Sequence, residues 1–159
     1  IQMAYQLSNS IKSKIEREAA KYPSRRAAVK SALRYAQQDH GWVSEEVIAA
    51  VAEVLQLEPI QVLEVATFYD MFYTDPVGRH QIRVCTNVSC MLRGAGVVMD
   101  HLKSRLNIDV GETTDDGRFS LFEAECLGAC GNAPMLVCSD RYFEDLSAEK
   151  VDEMLAILD

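Results

Sequence analysis

Hydrophobic residues recur at helical spacing through the first part of the chain. Between Leu7 and about Lys21 an apolar residue occupies every fourth position, which predicts a helix with one buried face. These apolar residues are Leu7, Ile11, Ile15 and Ala19.

Three more helices are predicted from the residues at their ends. Ser24 follows a proline that breaks the first helix, and it is suited to cap a second helix that ends at Gly41. Ser44 begins a third helix, because its hydroxyl can accept a free N–H and two acidic residues follow it in the first turn. Pro59 opens a fourth helix, since a first-turn proline leaves no N–H unpaired. An aromatic-rich cluster is expected to close this helical bundle: Phe68, Tyr69, Met71, Phe72 and Tyr73.

The pattern changes to period two after the turn-rich stretch 74–78, where we place a domain boundary. Helices are predicted at 95–106 and after Ser147, and four strands are predicted at 80–85, 119–124, 135–138 and 141–143. This order of elements is typical of a small domain in which helices pack against a mixed sheet. We therefore predict an α+β protein with a helical bundle over residues 1–75 and a second domain over residues 76–159.

Composition and charge narrow the class of protein. The chain has 159 residues, which suits one domain or two small ones. It contains no apolar run near the ~20 residues of a membrane-spanning helix and no signal-peptide pattern, so we expect a cytoplasmic protein without direct membrane insertion. The net charge of −8 argues against nucleic-acid binding, because phosphate contacts need clustered lysine and arginine.

Four cysteines form two pairs in the second domain. Cys85 and Cys90 are separated by four residues, and Cys126 and Cys130 by three. Each pair follows a predicted strand, so both pairs can converge at one edge of the sheet. Because the cytoplasm keeps thiols reduced, four converging thiols predict a metal site before a disulfide. The fifth cysteine, Cys138, lies in an apolar strand and is interpreted as a buried core residue.

The spacing within the pairs favours one metal centre over another. Structural zinc prefers pairs with two intervening residues, whereas wider loops can surround a cluster that brings its own sulfides. The spacing therefore favours a [2Fe–2S] cluster, while a structural zinc ion or a redox-active disulfide stays open. Gly128 and Gly131 flank Cys130 and are expected to let backbone N–H groups turn toward the sulfurs, and Pro134 is expected to end this loop.

The cysteine motifs resemble a known family over nearly the whole chain. From Asp116 to Pro134 the chain reads Asp, then Phe-Ser, five residues, Cys-Leu-Gly-x-Cys, two residues and Ala-Pro. This pattern resembles the signature of the E-type subunit of NADH–quinone oxidoreductase (respiratory complex I), whose mitochondrial counterpart is the flavoprotein 2 subunit. Residues 84–94 resemble the first ligand loop of that family, and residues 41–43 and 65–69 resemble motifs of its helical part.

The resemblance implies a helical N-terminal bundle that serves as a docking module, followed by a thioredoxin-like [2Fe–2S] ferredoxin domain. Cys85, Cys90, Cys126 and Cys130 would ligate one [2Fe–2S] cluster, and no residue of this chain would be catalytic. The family's subunit packs against an F-type flavoprotein subunit that carries FMN and the NADH site, and the cluster would exchange an electron with that flavin. The complex would be membrane-bound, with this subunit in its peripheral arm on the cytoplasmic side (the matrix side in mitochondria).

Three alternatives to this function stay open. The same cysteine spacing occurs in the corresponding diaphorase subunits of NAD-linked hydrogenases and formate dehydrogenases. A zinc-stabilised interaction module and a free-standing thioredoxin-like ferredoxin are the other two. The chain has no G-x-G-x-x-G motif after a predicted strand, so we expect it to bind neither NADH nor FMN by itself.

Overall fold

The protein is described by a computed structural model covering residues 5–158. The chain divides into two compact units, of which the first ends at Pro76 and the second begins at Val77. Among its described residues, the first unit contains four α-helices: α1 (Asn9–Ala19), α2 (Val29–His40), α3 (Glu45–Leu55) and α4 (Pro59–Phe68). The second contains three α-helices and four strands: β1 (His80–Cys85), α5 (Val88–Leu92), α6 (Ala95–Leu106), β2 (Phe119–Ala124), β3 (Leu136–Cys138), β4 (Arg141–Phe143) and α7 (Ala148–Ile157).

The helical unit forms where the apolar periodicity predicted it. Most of the apolar residues at helical spacing are buried in one hydrophobic core, although Leu63 of α4 is 37% exposed. Helix α1 begins at Asn9 rather than at Leu7, because Ser8 caps it by accepting the Ile11 N–H. Ser44 caps α3 through the Val47 N–H, and Pro59 is the first residue of α4, both as predicted.

Ser24 stands at the predicted N-cap position, but its side chain does not act as a cap. A short 3-10 helix, Arg25–Ala28, precedes α2, and the Ser24 side chain makes no capping hydrogen bond to it. Arg25 instead extends to the end of α3, where its guanidinium donates to Leu55 O at 3.0 Å and to Val54 O at 2.8 Å. The last carbonyls of a helix have no partner within the helix, so this arginine satisfies two of them from a distant part of the chain.

The predicted aromatic-rich cluster forms next to the bundle, but most of it is exposed. Only Phe72 is buried in the core, whereas the Phe68 side chain is 79% exposed and Tyr69 and Met71 are also exposed. Helix α4 buries its Val62 and Ala66 face. Because successive helical residues are about 100° apart, Phe68 lies on a different side of α4 from Ala66.

The second unit contains a mixed sheet, as predicted, with strand order β2-β1-β3-β4. Strand β1 pairs in parallel with β2 and antiparallel with β3, and β3 pairs antiparallel with β4. Helices α6 and α7 contribute apolar side chains, including Leu102 and Met154, to the core that covers the sheet residues Ile82 and Leu121. The α+β fold class is confirmed.

Within residues 5–158, each helix is too short or too polar to cross a bilayer. The chain also contains an element that the apolar pattern did not predict. Residues Val88–Leu92, interpreted from the sequence as part of a ligand loop, form the short helix α5.

Candidate metal centre

The parallel pairing of β1 and β2 brings the two cysteine pairs to one edge of the sheet. Cys85 is the last residue of β1 and pairs with Ala124, the last residue of β2. The Thr86 N–H donates to Ala124 O at 3.0 Å, so the ladder continues just beyond both strands. Cys126 follows two residues later and therefore emerges beside Cys85. The predicted convergence at one sheet edge is therefore seen for one cysteine of each pair, Cys85 and Cys126.

The Cys85 thiol has two neighbours among the other three. It interacts with the Cys90 and Cys126 thiols, and both of them lower its pKa. Cys130 is close enough to Cys90 to interact with it electrostatically. Cys85 and Cys90 are buried, whereas Cys126 and Cys130 are exposed to solvent. The group of four thiols therefore has a buried side and an open side.

Backbone N–H groups are directed at the Cys85 thiol. Burial raises the pKa of this thiol, but N–H groups of Asn87 and Leu127 and the thiols of Cys90 and Cys126 together lower its pKa below the ordinary value. Each of these donors favours the thiolate, which is the form that binds metal. One N–H comes from each cysteine loop, so both loops are needed to produce this environment.

The pKa of the Cys90 thiol is shifted in the opposite direction, above its ordinary value. Burial raises its pKa, the neighbouring Cys85 thiol raises it further, and the Met135 N–H only partly offsets these effects. Two adjacent thiols cannot both ionise without repulsion, which is why the Cys85 thiol raises the pKa of Cys90. A cationic metal centre removes this repulsion by neutralising both thiolates.

Apolar side chains surround the buried side of the site. Ala95, Ala133 and Met135 pack in one cluster with the two buried cysteines, and Leu127 and Ala129 pack against this cluster. Burial among these side chains lowers the local dielectric constant, which strengthens electrostatic interactions between sulfur and its N–H donors.

The two loop glycines have different roles. Gly128 has a φ of +76°, a conformation that other residues rarely adopt, so a glycine is needed for the turn between Cys126 and Cys130. Gly131 lies in the short 3-10 helix Cys130–Asn132 and has no positive φ. The N–H groups that reach Cys85 and Cys90 belong to Asn87, Leu127 and Met135 rather than to these glycines.

Three residues near the site were not singled out from the sequence. Asn87 caps α5 through the Val88 N–H, and its side chain also donates to Glu125 O at 2.8 Å. The Arg93 guanidinium donates to Ala133 O at 3.3 Å, and the Tyr142 hydroxyl donates to Leu127 O at 2.9 Å. The bonds to Glu125 O, Ala133 O and Leu127 O each join segments that are far apart in the sequence, so the sequence gives no local sign of them. Only the capping role of Asn87 could have been predicted, because asparagine is a preferred N-cap residue.

The remaining cysteine is separate from this site. Cys138 is buried in the core of the sheet, as predicted, and burial raises the pKa of its thiol. In the described part of the chain, no three or more His, Cys, Asp or Glu side chains are arranged around a single metal ion. The thiols instead interact as successive neighbours: Cys126 with Cys85, Cys85 with Cys90, and Cys90 with Cys130. This donor set fits a two-iron cluster, in which each iron takes two thiolates.

Comparisons with known proteins add three findings. The profile of the family described as thioredoxin-like [2Fe-2S] ferredoxin matches residues 15–159. The chain is 44% identical over 146 residues to the E 2 subunit of NADH-quinone oxidoreductase from Rhizobium meliloti (strain 1021), covering 92% of this chain and 87% of that protein. It is 43% identical over 145 residues to the mitochondrial NADH dehydrogenase [ubiquinone] flavoprotein 2 of Dictyostelium discoideum, covering 89% of this chain and 59% of that protein.

A solved structure is also similar. The fold superposes on a chain of an NAD+-reducing [NiFe]-hydrogenase in the air-oxidized state with a TM-score of 0.70 and 25% sequence identity. The superposition covers 79% of this chain and 22% of the hydrogenase chain.

Proposed function

The chain belongs to the thioredoxin-like [2Fe-2S] ferredoxin family, and from this premise we propose that it is the electron-transfer subunit, of the E type, of an NADH–quinone oxidoreductase. The observation that carries the proposal is the meeting of four thiols, two from each of two loops, at one edge of the sheet. The similarity to the Rhizobium meliloti protein supports the assignment, because it extends over most of both chains.

In this proposal Cys85, Cys90, Cys126 and Cys130 hold one [2Fe–2S] cluster. When bound, such a cluster carries a single electron. The buried pair, Cys85 and Cys90, lies against apolar side chains, while the exposed pair faces outward. The N–H groups directed at the buried sulfurs offset negative charge on them, and this effect grows when an electron is added.

We place the flavin and NADH chemistry on a neighbouring F-type flavoprotein subunit. Exposed apolar residues on both units support a protein partner, because large exposed apolar side chains in groups often mark interaction surfaces. On α5, next to Cys90, the exposed residues are Val88, Met91 and Leu92, the last 82% exposed. In the first unit, Ile60 and Phe68 are exposed on α4. The helical unit, residues 1–75 in the sequence prediction, would then be a docking module in the peripheral arm, on the cytoplasmic or matrix side.

The corresponding subunit of an NAD-linked hydrogenase is the second candidate, and the structural similarity to the NAD+-reducing hydrogenase favours it. The respiratory assignment is preferred because its relatives have 43–44% identity and the hydrogenase chain has 25%. Purification from native cells separates the two assignments. Recovery with a membrane-bound NADH–quinone oxidoreductase supports the first, and recovery with a hydrogenase supports the second.

The cluster itself is tested by anaerobic reconstitution of the full chain with iron and sulfide. We expect two irons and two sulfides per chain, a brown colour that bleaches on reduction, and an EPR signal from the reduced protein. The variant Cys130→Ala should lose this signal, since one iron then lacks a protein ligand. The matched control Cys138→Ala, which removes a buried thiol outside the site, should keep it. A colourless protein that binds zinc, or Cys130→Ala with an unchanged spectrum, would refute the assignment.

A further inference from the structure

The ladder between β1 and β2 ends at the point where the ligand loops begin. Its last backbone rung beyond the strands joins the Thr86 N–H to Ala124 O at 3.0 Å. One residue further on, the Asn87 N–H is directed at the Cys85 thiol. The Asn87 side chain connects the two loops at this point, with its Nδ2 donating to Glu125 O at 2.8 Å. A side-chain amide thus continues the connection between the loops by one more residue.

The same side chain determines how α5 begins. The Asn87 Oδ1 accepts the Val88 N–H at 2.8 Å, and the backbone of Asn87 has φ −70° and ψ 166°, the extended conformation of an N-cap. The amide nitrogen therefore faces a carbonyl and the amide oxygen faces an N–H, so both ends of the amide have a partner of the correct type. These two bonds together constrain the peptide whose N–H reaches Cys85.

The other end of α5 has an independent connection to the second loop. The Arg93 guanidinium donates to Ala133 O at 3.3 Å, while the Arg93 backbone N–H donates to Ser89 O and Cys90 O within the helix. Helix α5, which carries Cys90, is therefore connected to the second loop at both ends. Loss of the Asn87 contact should leave the connection through Arg93, so a variant at Asn87 is expected to fold.

We propose that Asn87 is a positioning residue for the iron–sulfur site, because its side chain ties the two ligand loops together and thereby holds the backbone N–H that donates to the Cys85 sulfur. This inference rests on the proposed function for its cluster but concerns residues that are not ligands. An N–H donor stabilises sulfur most when negative charge is highest, which is in the reduced state. Weakening that donor should therefore lower the reduction potential.

The test is Asn87→Ser in the full chain, since serine can still cap α5 but is too short to reach Glu125 O. After reconstitution we expect a lower midpoint potential, a changed EPR spectrum of the reduced protein, and iron loss to a chelator about tenfold faster, the lower end of effects seen when residues supporting metal ligands are replaced. Asn87→Asp should lower the potential further, because it keeps the cap, removes the donor and adds negative charge.

The matched control is Ser147→Ala, which removes the cap of α7, where Ser147 Oγ accepts the Lys150 N–H at 3.3 Å. Its potential and spectrum should equal those of the wild type. Wild-type potential, spectrum and iron-loss rate in Asn87→Ser would overturn the proposal.

A measurement on the cluster-free protein separates this proposal from the proposed function. Hydrogen exchange at the backbone amide of position 87 should be faster in Asn87→Ser than in the wild type, while far-UV circular dichroism stays unchanged. Equal exchange in the two proteins would overturn the positioning role. Failure of the wild type to bind any cluster would instead contradict the proposed function, and the exchange result would still decide the role of Asn87.

Discussion

Gly78 is the position where a single methyl group should have the largest effect on the second unit. An added Cβ would lie 2.8 Å from the Phe119 carbonyl carbon, 2.9 Å from the Phe119 nitrogen and 3.0 Å from the Arg118 carbonyl carbon. These atoms belong to the backbone of β2 and its approach, which cannot rotate away as a side chain can. The strands are also held together here, because the His80 N–H donates to Arg118 O at 2.7 Å. Gly78→Ala therefore requires the two segments to separate.

The expected cost follows from this geometry. Overpacking of a well-packed site typically costs about 1–3 kcal/mol. The Gly78 N–H also donates to the buried Ser120 Oγ at 2.8 Å, and displacement of the segment weakens this bond. Replacing glycine by alanine restricts the unfolded chain, which offsets the cost by roughly 0.4–1 kcal/mol. We expect a net loss of about 1–2 kcal/mol, or a melting temperature lowered by roughly 4–16 °C for a unit of this size.

Gly96 provides a matched control in the same unit. It lies in α6, its φ is not positive, and an added Cβ would meet only the Met91 Cε at an ordinary 3.9 Å. Gly96→Ala should therefore stabilise the unit by about 0.4–1 kcal/mol. The same chemical change is thus expected to have opposite signs at the two glycines.

Thermal unfolding by far-UV circular dichroism measures this difference. Trp42 is the single tryptophan and lies in the first unit, so its fluorescence reports a transition that neither variant should move. The reasoning is refuted if Gly78→Ala unfolds at or above the wild-type temperature while Gly96→Ala is stabilised.

Two further predictions concern the thiols and acid stability. In the cluster-free protein, an alkylating reagent should modify the exposed Cys126 and Cys130 before the buried cysteines, as measured by mass spectrometry. Reconstitution with the cluster should protect both thiols from the reagent. Alkylation of both thiols in the cluster-loaded protein would exclude them as ligands. Asp152 accepts a hydrogen bond from His101, which holds the pKa of the Asp152 carboxyl below its ordinary value of 3.8. A carboxyl group with a lowered pKa stabilises the folded state above pH 3.8, and this contribution is lost as the pH falls through the lowered value. Between about pH 5 and pH 2, the thermal unfolding midpoint of Asp152→Asn should therefore fall less steeply with pH than that of the wild type. Equal slopes in the two proteins would contradict this prediction.

Local patterns in the sequence were sufficient to predict most of the secondary structure. Ser44 and Pro59 begin helices because a cap or a first-turn proline acts through the backbone of its own few residues. The period-two pattern placed β1 and β2 because alternate side chains of a strand point to opposite faces. The spacing of the four cysteines, each pair after a strand, likewise indicated the candidate site.

The same local reasoning failed where a distant partner competes. Ser24 is a suitable cap by residue type, yet a 3-10 helix forms there, and Arg25 beside it binds the end of α3. The aromatic-rich residues were expected to close the bundle, but Phe68 at the end of α4 is exposed. Residue type sets a preference of about 1 kcal/mol or less per position, which packing and long-range hydrogen bonds readily exceed.

The chemical identity of the site and its arrangement therefore have different origins. Thiols, turn glycines and strand ends are properties of short segments, and they can be recognised from residue order. The environment of Cys85 depends on N–H groups of Asn87 and Leu127, which lie on loops that meet only because β1 and β2 run parallel in one register. Parallel strands require a crossover connection, so their register is decided by the packing of the whole unit and not by any segment within it.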